Sequence, residues 1–173
     1  MNQFNEIAPV DIRQNPFQTV GREWMLITAG PLDDFNMMTA SWGTWGHLWE
    51  RDVAICFVRP QRYTYSFMER NSNYTLSFFD ADWRKALEYC GSHSGRQVDK
   101  TSATSLTPFA TPSGAVAFEE ARLILECRKL YSGDFGESGF VDARVMDAVY
   151  QERDFHRFYV GEIMRVLSRT RNK

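Results

Sequence analysis

Hydrophobic and polar positions come in short bursts closed by turn residues, not in long stripes of helical period. Trp24 to Ala29 is a strand-like run closed by Gly30-Pro31. Met37 to Trp42 follows the turn-rich Leu32-Asp33-Asp34, and Val53 to Val58 stops at Arg59-Pro60. Branched and aromatic content between turn signals makes these β-strands. Tyr74 to Phe79 alternates as a strand does, and in Ala121 to Tyr131 the set Leu123, Leu125, Cys127 alternates with Arg122, Glu126, Arg128. Period two fits that segment better than a helical stripe.

Helical signals are brief. Asn15-Pro16 is a cap followed by a first-turn proline. Thr64 is placed to cap a helix from Tyr65 to Arg70, and Asp82 to open another from Trp83 to Tyr89, ended by Gly91. Ser92 to Gly114 reads as one long irregular connection, uncommon in a compact domain unless it serves a site. Gly133-Asp134-Phe135-Gly136 reads as a turn, and the stretch from there to Arg153 carries no clear period. Phe155 to Leu167 reads as a long bent strand with a bulge or close backbone approach at Gly161. Six or seven extended runs with short helical insertions predict a mainly β chain folded as a small closed or half-closed barrel, a single domain over residues 1–173.

Composition narrows the classes. The chain has 173 residues, 24% charged, 43% hydrophobic and 14% aromatic, with 20 basic against 22 acidic side chains and a net charge of −2. That is long enough to build a core without staples. The charge balance offers no basic face, so neither nucleic acid nor an anionic membrane is expected as a partner. Cys56, Cys90 and Cys127 are odd in number and widely spaced, which predicts reduced core thiols. Met1 to Glu6 lacks the basic start and apolar core of a signal peptide, and no stretch reaches the length of a membrane span, so a cytoplasmic location is expected.

Several catalytic patterns are absent. The chain contains no Gly-x-x-x-x-Gly-Lys-Ser/Thr loop, no Gly-x-Gly-x-x-Gly after a first strand and no Gly-x-Ser-x-Gly elbow. His47, His93 and His156 have no ligand spacing with one another or with cysteine, so no metal site is predicted.

Four segments carry candidate chemistry, each with a plainer reading beside it. Asn36 to Gly43 is either a strand entering a turn or a site in which the Thr39 and Ser41 hydroxyls bind an anion or a heteroaromatic edge against the Trp42 wall. Arg59-Pro60-Gln61-Arg62-Tyr63-Thr64 sets two guanidinium groups beside a helix start, which suits a phosphate monoester, unless these are solvated loop charges. Gly91 to Lys100 is a Ser/Gly loop with two cations, again phosphate-like or merely a surface loop. Asp154 to Ile163 is a final barrel strand whose mouth places His156 where an imidazole could bond a substrate amide or carry a proton.

These same segments, with Leu106-Thr107-Pro108, occur in order along the chain and resemble the flavin reductase-like, FMN-binding split-barrel family, close to its flavoredoxin branch. The resemblance runs from Trp24 to Val166. It implies a split β-barrel homodimer that holds FMN at or near the subunit interface. Thr39, Ala40 and Ser41 would meet the ring edge or ribityl chain, with Asn36 and Met38 beside them and Trp42 flanking the ring. Arg59, Arg62, Thr64, Ser94, Gly95 and Lys100 would serve the phosphate end, and His156 matches the family's histidine near the nicotinamide pocket. It further implies an oxidoreductase that takes a hydride from NADH or NADPH onto FMN and passes electrons to free flavin or a partner protein. A flavoredoxin-type carrier reduced by an iron–sulfur or rubredoxin-like protein, and a non-enzymatic FMN-binding module, are the alternatives. Flavin carries its own redox chemistry, so such a protein needs no nucleophile.

Overall fold

The computed structural model describes residues 4–169, so half of the Met1–Glu6 segment inspected for a signal lies outside the described residues. In chain order, β1 (Phe4–Ile7) and the short turn α1 (Pro16–Gln18) lead into β2 (Met25–Ala29), β3 (Asn36–Ala40), β4 (Gly43–Leu48) and β5 (Arg51–Val58). Then come α2 (Tyr63–Arg70), β6 (Asn73–Phe78), α3 (Arg84–Ser92), α4 (Lys100–Thr104), β7 (Pro108–Ala110) and β8 (Val116–Phe118). The chain ends in β9 (Leu123–Asp134), α5 (Ala143–Val149) and β10 (Arg157–Arg169).

One antiparallel sheet has the order β3-β2-β6-β9-β10-β5-β4, with β1 added on β10, and β7-β8 form a separate hairpin. β10 is long enough to serve two neighbours along one edge: residues Arg157 to Glu162 pair with β5, while Val166 to Arg169 pair with β1. Its register against β9 shifts at Val160/Gly161 and again at Ile163/Arg165, which bends the strand. β3 and β4 are the opposite ends of the strand order, yet only Ser41 and Trp42 join them. A link that short spans about 10 Å at most. The sheet must therefore curl until its two edges nearly meet, leaving a barrel split at that seam.

The barrel interior holds Met25, Ile27, Cys56, Tyr74, Leu76, Phe78, Leu125, Cys127 and Tyr159, closed at one end by Phe67 and Met68 of α2. The expected alternation in β9 holds, since Leu123, Leu125 and Cys127 share that interior. A second core lies outside the sheet, where Leu26 and Ile124 from the opposite faces of β2 and β9 pack with Leu87 and Cys90 of α3 and Phe118 of β8. All three cysteines are free and buried. Among the described residues no helix is long and apolar enough to cross a membrane.

Several local expectations are corrected. Thr64 does not cap α2: Arg62 occupies the cap, and the buried Thr64 hydroxyl instead accepts from Asn36 Nδ2 at 2.6 Å. Asp82 sits inside a 3-10 turn (Ala81–Trp83) and not at a cap, and Gly91 lies within α3, facing Thr39, where it was expected to end the helix. The Ser92–Gly114 connection contains α4 and β7, because Asp99 uses the neighbouring Ser102 as a capping partner, accepting its backbone N–H at 3.2 Å. Gly133 and Asp134 continue β9 and pair with Phe158 and Arg157, so the turn begins later. His47, Glu50, Arg51 and Asp52 belong to the β4–β5 hairpin, with Trp49 and Glu50 both at φ 55° in its tip. β1, β4, β7, β8 and α5 were not anticipated.

The glycine expectation in β10 is met. A Cβ on Gly161 would lie 2.3 Å from the Tyr74 hydroxyl and 3.0 Å from Cys127 Cβ. Gly161→Ala is expected to lower stability by about 1–3 kcal/mol through overpacking, and Tyr74→Phe in the same chain to recover part of the loss. Urea midpoints of the two single variants and the double variant measure this; additive losses would show that the two groups do not collide.

Candidate functional site

The seam between β3 and β4 sets the site. There the exit of β3, the turn from β5 into α2, the end of α3 with its following loop, and the start of β10 come together. They line three adjoining cavities of about 200, 450 and 260 Å3 that share wall residues. Arg62 borders all three, and Thr39, Ala40 and Ser41 border two of them.

The smallest cavity is polar. Asn36, Thr64, Ser94, Gly95 and Lys100 line it, with Arg62 at its edge. Lys100 is 5% exposed, and its Nζ donates to Met37 O at 2.8 Å and Cys90 O at 2.9 Å, so it ties β3 to the end of α3. Burial, with the like charge of Arg62 nearby, lowers its pKa to about 8. Burial also lowers that of Arg62, whose guanidinium finds no hydrogen-bond or ion-pair partner among the described residues. Two cations thus face one cavity with no carboxylate between them, an arrangement that costs free energy unless an anion enters.

The aromatic end is built from Met38, Trp42, Phe57, Arg59 and His156. Trp42 is 43% exposed and its ring lies 4.8 Å from the His156 ring, tilted by 44°. His156 Nδ1 is 2.8 Å from the hydroxyl of Tyr150, which is buried. Burial, then the positive charge of Arg59, pushes the imidazole pKa down to about 4, against an opposing pull from Asp154. Arg59 itself is engaged: it pairs with Asp154 and donates to Val149 O at 3.1 Å. The middle cavity joins the two ends, with Trp24 and Leu87 on its far wall and the Thr39 hydroxyl bonded to Leu87 O.

All thirteen residues singled out from the sequence line this group of cavities. Their states differ, however: Arg59, Lys100, Thr39 and Asn36 already have protein partners, while Arg62 has none for its side chain among the described residues. Sequence reasoning missed Tyr150, Trp24, Leu87 and Phe57, which carry no motif. Gln61 and Tyr63 lay inside a segment already noted and could have been included with Arg62.

Comparison with known proteins bears on the family and the fold. The family model described as a flavin reductase like domain matches residues 17–170. An FMN-binding protein from Thermus thermophilus, solved with bound p-hydroxybenzaldehyde, superposes with a TM-score of 0.67 at 22% identity over 86% of this chain and 72% of that one. Flavoredoxin from Methanosarcina acetivorans gives 0.69 at 22% identity over 87% and 70%. A Streptomyces globisporus NADH:FAD oxidoreductase, in complex with NAD and FAD fragments, gives 0.64 at 18% over 87% and 76%. At these identities the likeness is one of fold. No curated protein sequence matches the chain.

The depressed imidazole pKa has a stability consequence. The unfolded chain binds a proton at His156 near pH 6.5 and the folded chain only near pH 4, so between these values stability rises with pH. On acidification through that window His156 is expected to cost about 2–3 kcal/mol, reduced in proportion to its remaining solvent contact. His156→Gln removes this contribution, so the urea-midpoint gap between variant and wild type should move in the variant's favour from pH 7 to pH 4.5. A constant gap would mean that His156 titrates alike in both states.

Proposed function

The chain belongs to the flavin reductase-like domain family, and from that premise we propose that it is an FMN-binding oxidoreductase that uses NADH or NADPH as donor and passes electrons to free flavin or a partner protein. One observation carries the reading: the half-buried Arg62, whose guanidinium has no partner among the described residues, stands where a polar, cation-lined cavity meets an aromatic one. A planar ring with a phosphate tail matches that sequence of environments.

In this reading Arg62 is the main phosphate ligand, because its fork of donors has no competing acceptor among the described residues. Lys100 adds its remaining N–H and charge while its carbonyl bonds hold β3 in place. Ser94 and Gly95 supply the loop wall, and Asn36 and Thr64 fix the floor through their mutual hydrogen bond. Met38, Thr39, Ala40 and Ser41 present strand backbone to the ring edge, and Trp42 shields one flank. Arg59, neutralised by Asp154, contributes shape more than charge. Bound flavin supplies the two-electron redox chemistry, so the protein's task is to place, shield and hydrogen-bond it. His156, uncharged at neutral pH, borders the 260 Å3 of space where a nicotinamide would approach.

A second reading, a flavoredoxin-type carrier, is favoured by a different feature. Residues 135–156 fold over the aromatic end and show Glu137, Asp142, Asp147 and Glu152 on their exterior; Arg153 and Arg144 pair with the first two, and Asp147 and Glu152 leave the surface net acidic, as suits a basic protein donor. The exposed Leu48, Trp49 and Tyr131 near the β4–β5 tip are the apolar surface that a second copy would cover in the proposed homodimer.

Anaerobic absorption of the FMN-loaded protein tests the reading. Bleaching of the flavin band by NADH or NADPH at a catalytic rate supports the reductase. Bleaching by dithionite alone would favour the protein-reduced carrier, and no flavin binding would sink both. Arg62→Ala is expected to weaken FMN binding by about 1.5–3 kcal/mol, with a smaller loss for Arg59→Ala. Because phosphate favours the charged form of Lys100, FMN affinity should fall as pH rises through about 8, measured as Kd at pH 7 and 9 by flavin fluorescence. Equal affinities at the two pH values would remove Lys100 from the phosphate site.

A further inference from the structure

We propose that Tyr150 is a positioning residue that fixes His156 as an uncharged hydrogen-bond donor into the cleft, with its proton on Nε2. What that donor meets rests on the flavin reading above; its protonation state does not.

The argument begins with the excursion that delivers Tyr150. Residues 135–156 leave the sheet after β9 and return to start β10, pinched at the neck where Phe135 N–H donates to His156 O at 3.0 Å. Within it the rings of Phe140, Tyr150 and Phe155 pack on one another, Tyr150 and Phe155 with centroids 5.0 Å apart. Arg59 clamps it to the barrel through Asp154 and Val149 O, and its guanidinium lies 5.4 Å from the centre of the Tyr150 ring. Tyr150 is 3% exposed, so its hydroxyl has no water to turn to.

That hydroxyl has one proton to give. A buried O–H left without an acceptor is costly, and the acceptor within reach among the described residues is His156 Nδ1 at 2.8 Å. The O–H therefore donates to Nδ1. A neutral imidazole that accepts at Nδ1 carries its proton on Nε2. Charging the ring would place an N–H donor at Nδ1, where Tyr150 needs an acceptor, next to the Arg59 cation. Asp154 would favour the charged ring, but its carboxylate is taken up by Arg59 and by Gln61 Nε2 at 2.6 Å. Trp42 packs on the ring and limits its rotation. Nε2 is the nitrogen left for the cavity that His156 lines, and it offers an N–H that suits a neutral acceptor such as a carbonyl or carboxamide oxygen on a planar co-substrate. His156 in this arrangement orients that group and releases no proton.

Long-range proton–nitrogen correlation NMR on histidine-labelled, flavin-free protein tests this, with His156→Gln assigning the signal. Wild type is expected to show a bare Nδ1 and a protonated Nε2, unchanged from about pH 8 to about pH 5. In Tyr150→Phe, where Nδ1 loses its O–H donor, the two nitrogens should shift toward a mixture of tautomers, while burial and Arg59 still hold the ring uncharged. A wild-type proton on Nδ1, a charged ring at pH 6, or an unchanged spectrum in Tyr150→Phe would each overturn the proposal. The wild-type spectrum decides by itself if the variant does not fold. Because no flavin is present, failure of flavin binding leaves this result standing.

Discussion

Two residues, Ser41 and Trp42, constrain the whole molecule. They join the first and last strands of a seven-strand path, and so short a link leaves the sheet no choice but to curl. β3 and β4 come close without pairing, so the barrel has a seam in which backbone groups and side chains remain free for something other than the sheet. The long, twice-bulged β10 is the complementary device on the other side of the barrel. It supplies the bend that closure needs, and the missing side chain at Gly161 lets Tyr74 fill the interior behind it.

Electrostatics then divides the seam into two ends. Of the cations brought there, Arg59 is neutralised by Asp154 and Lys100 is spent largely on two carbonyls, while Arg62 and the residual charge of Lys100 repel each other across an uncharged wall. Such an arrangement is maintained against its own folding cost because the surrounding strands and helices over-determine it, which is how strained or unsatisfied groups survive at sites. At the other end the same burial acts on an imidazole and keeps it uncharged. One cleft thus offers a positive pocket and a neutral aromatic pocket, separated by the width of a strand exit.

The legibility of the sequence followed the range of the interactions. β2, β5, β6 and β9 were evident because each is a run of β-branched and aromatic residues ended by turn residues. The bulge at Gly161 was evident because glycine in a strand interior has few other uses. β4 was hidden by its exposed, charged tip, and β1, β7 and β8 are too short to carry a period. Glu126, polar in the alternation, is fully buried: Thr111 Oγ1 and Ser113 N–H from the β7–β8 hairpin donate to its Oε1 at 2.6 and 2.8 Å, and the Arg165 guanidinium lies 3.6 Å from its Oε2. No local rule could have announced a carboxylate whose partners lie more than ten residues away.

By itself the sequence determined the β class, the cysteines' place in the core, and a set of residues that line one cleft, because these depend on local propensity, side-chain burial and motif order. Only the tertiary structure decided which of those residues are free to bind. Arg59, Arg62 and Lys100 are alike as cations in a sequence; their difference lies in Asp154, in the carbonyls of Met37 and Cys90, and in the absence of any such partner for the Arg62 side chain among the described residues. The state of His156 likewise depends on Tyr150, which reaches it only because residues 135–156 fold back across the mouth of the barrel. Pairing and burial are properties of groups brought together in space, and they set charge and hydrogen-bonding capacity after the chain has folded.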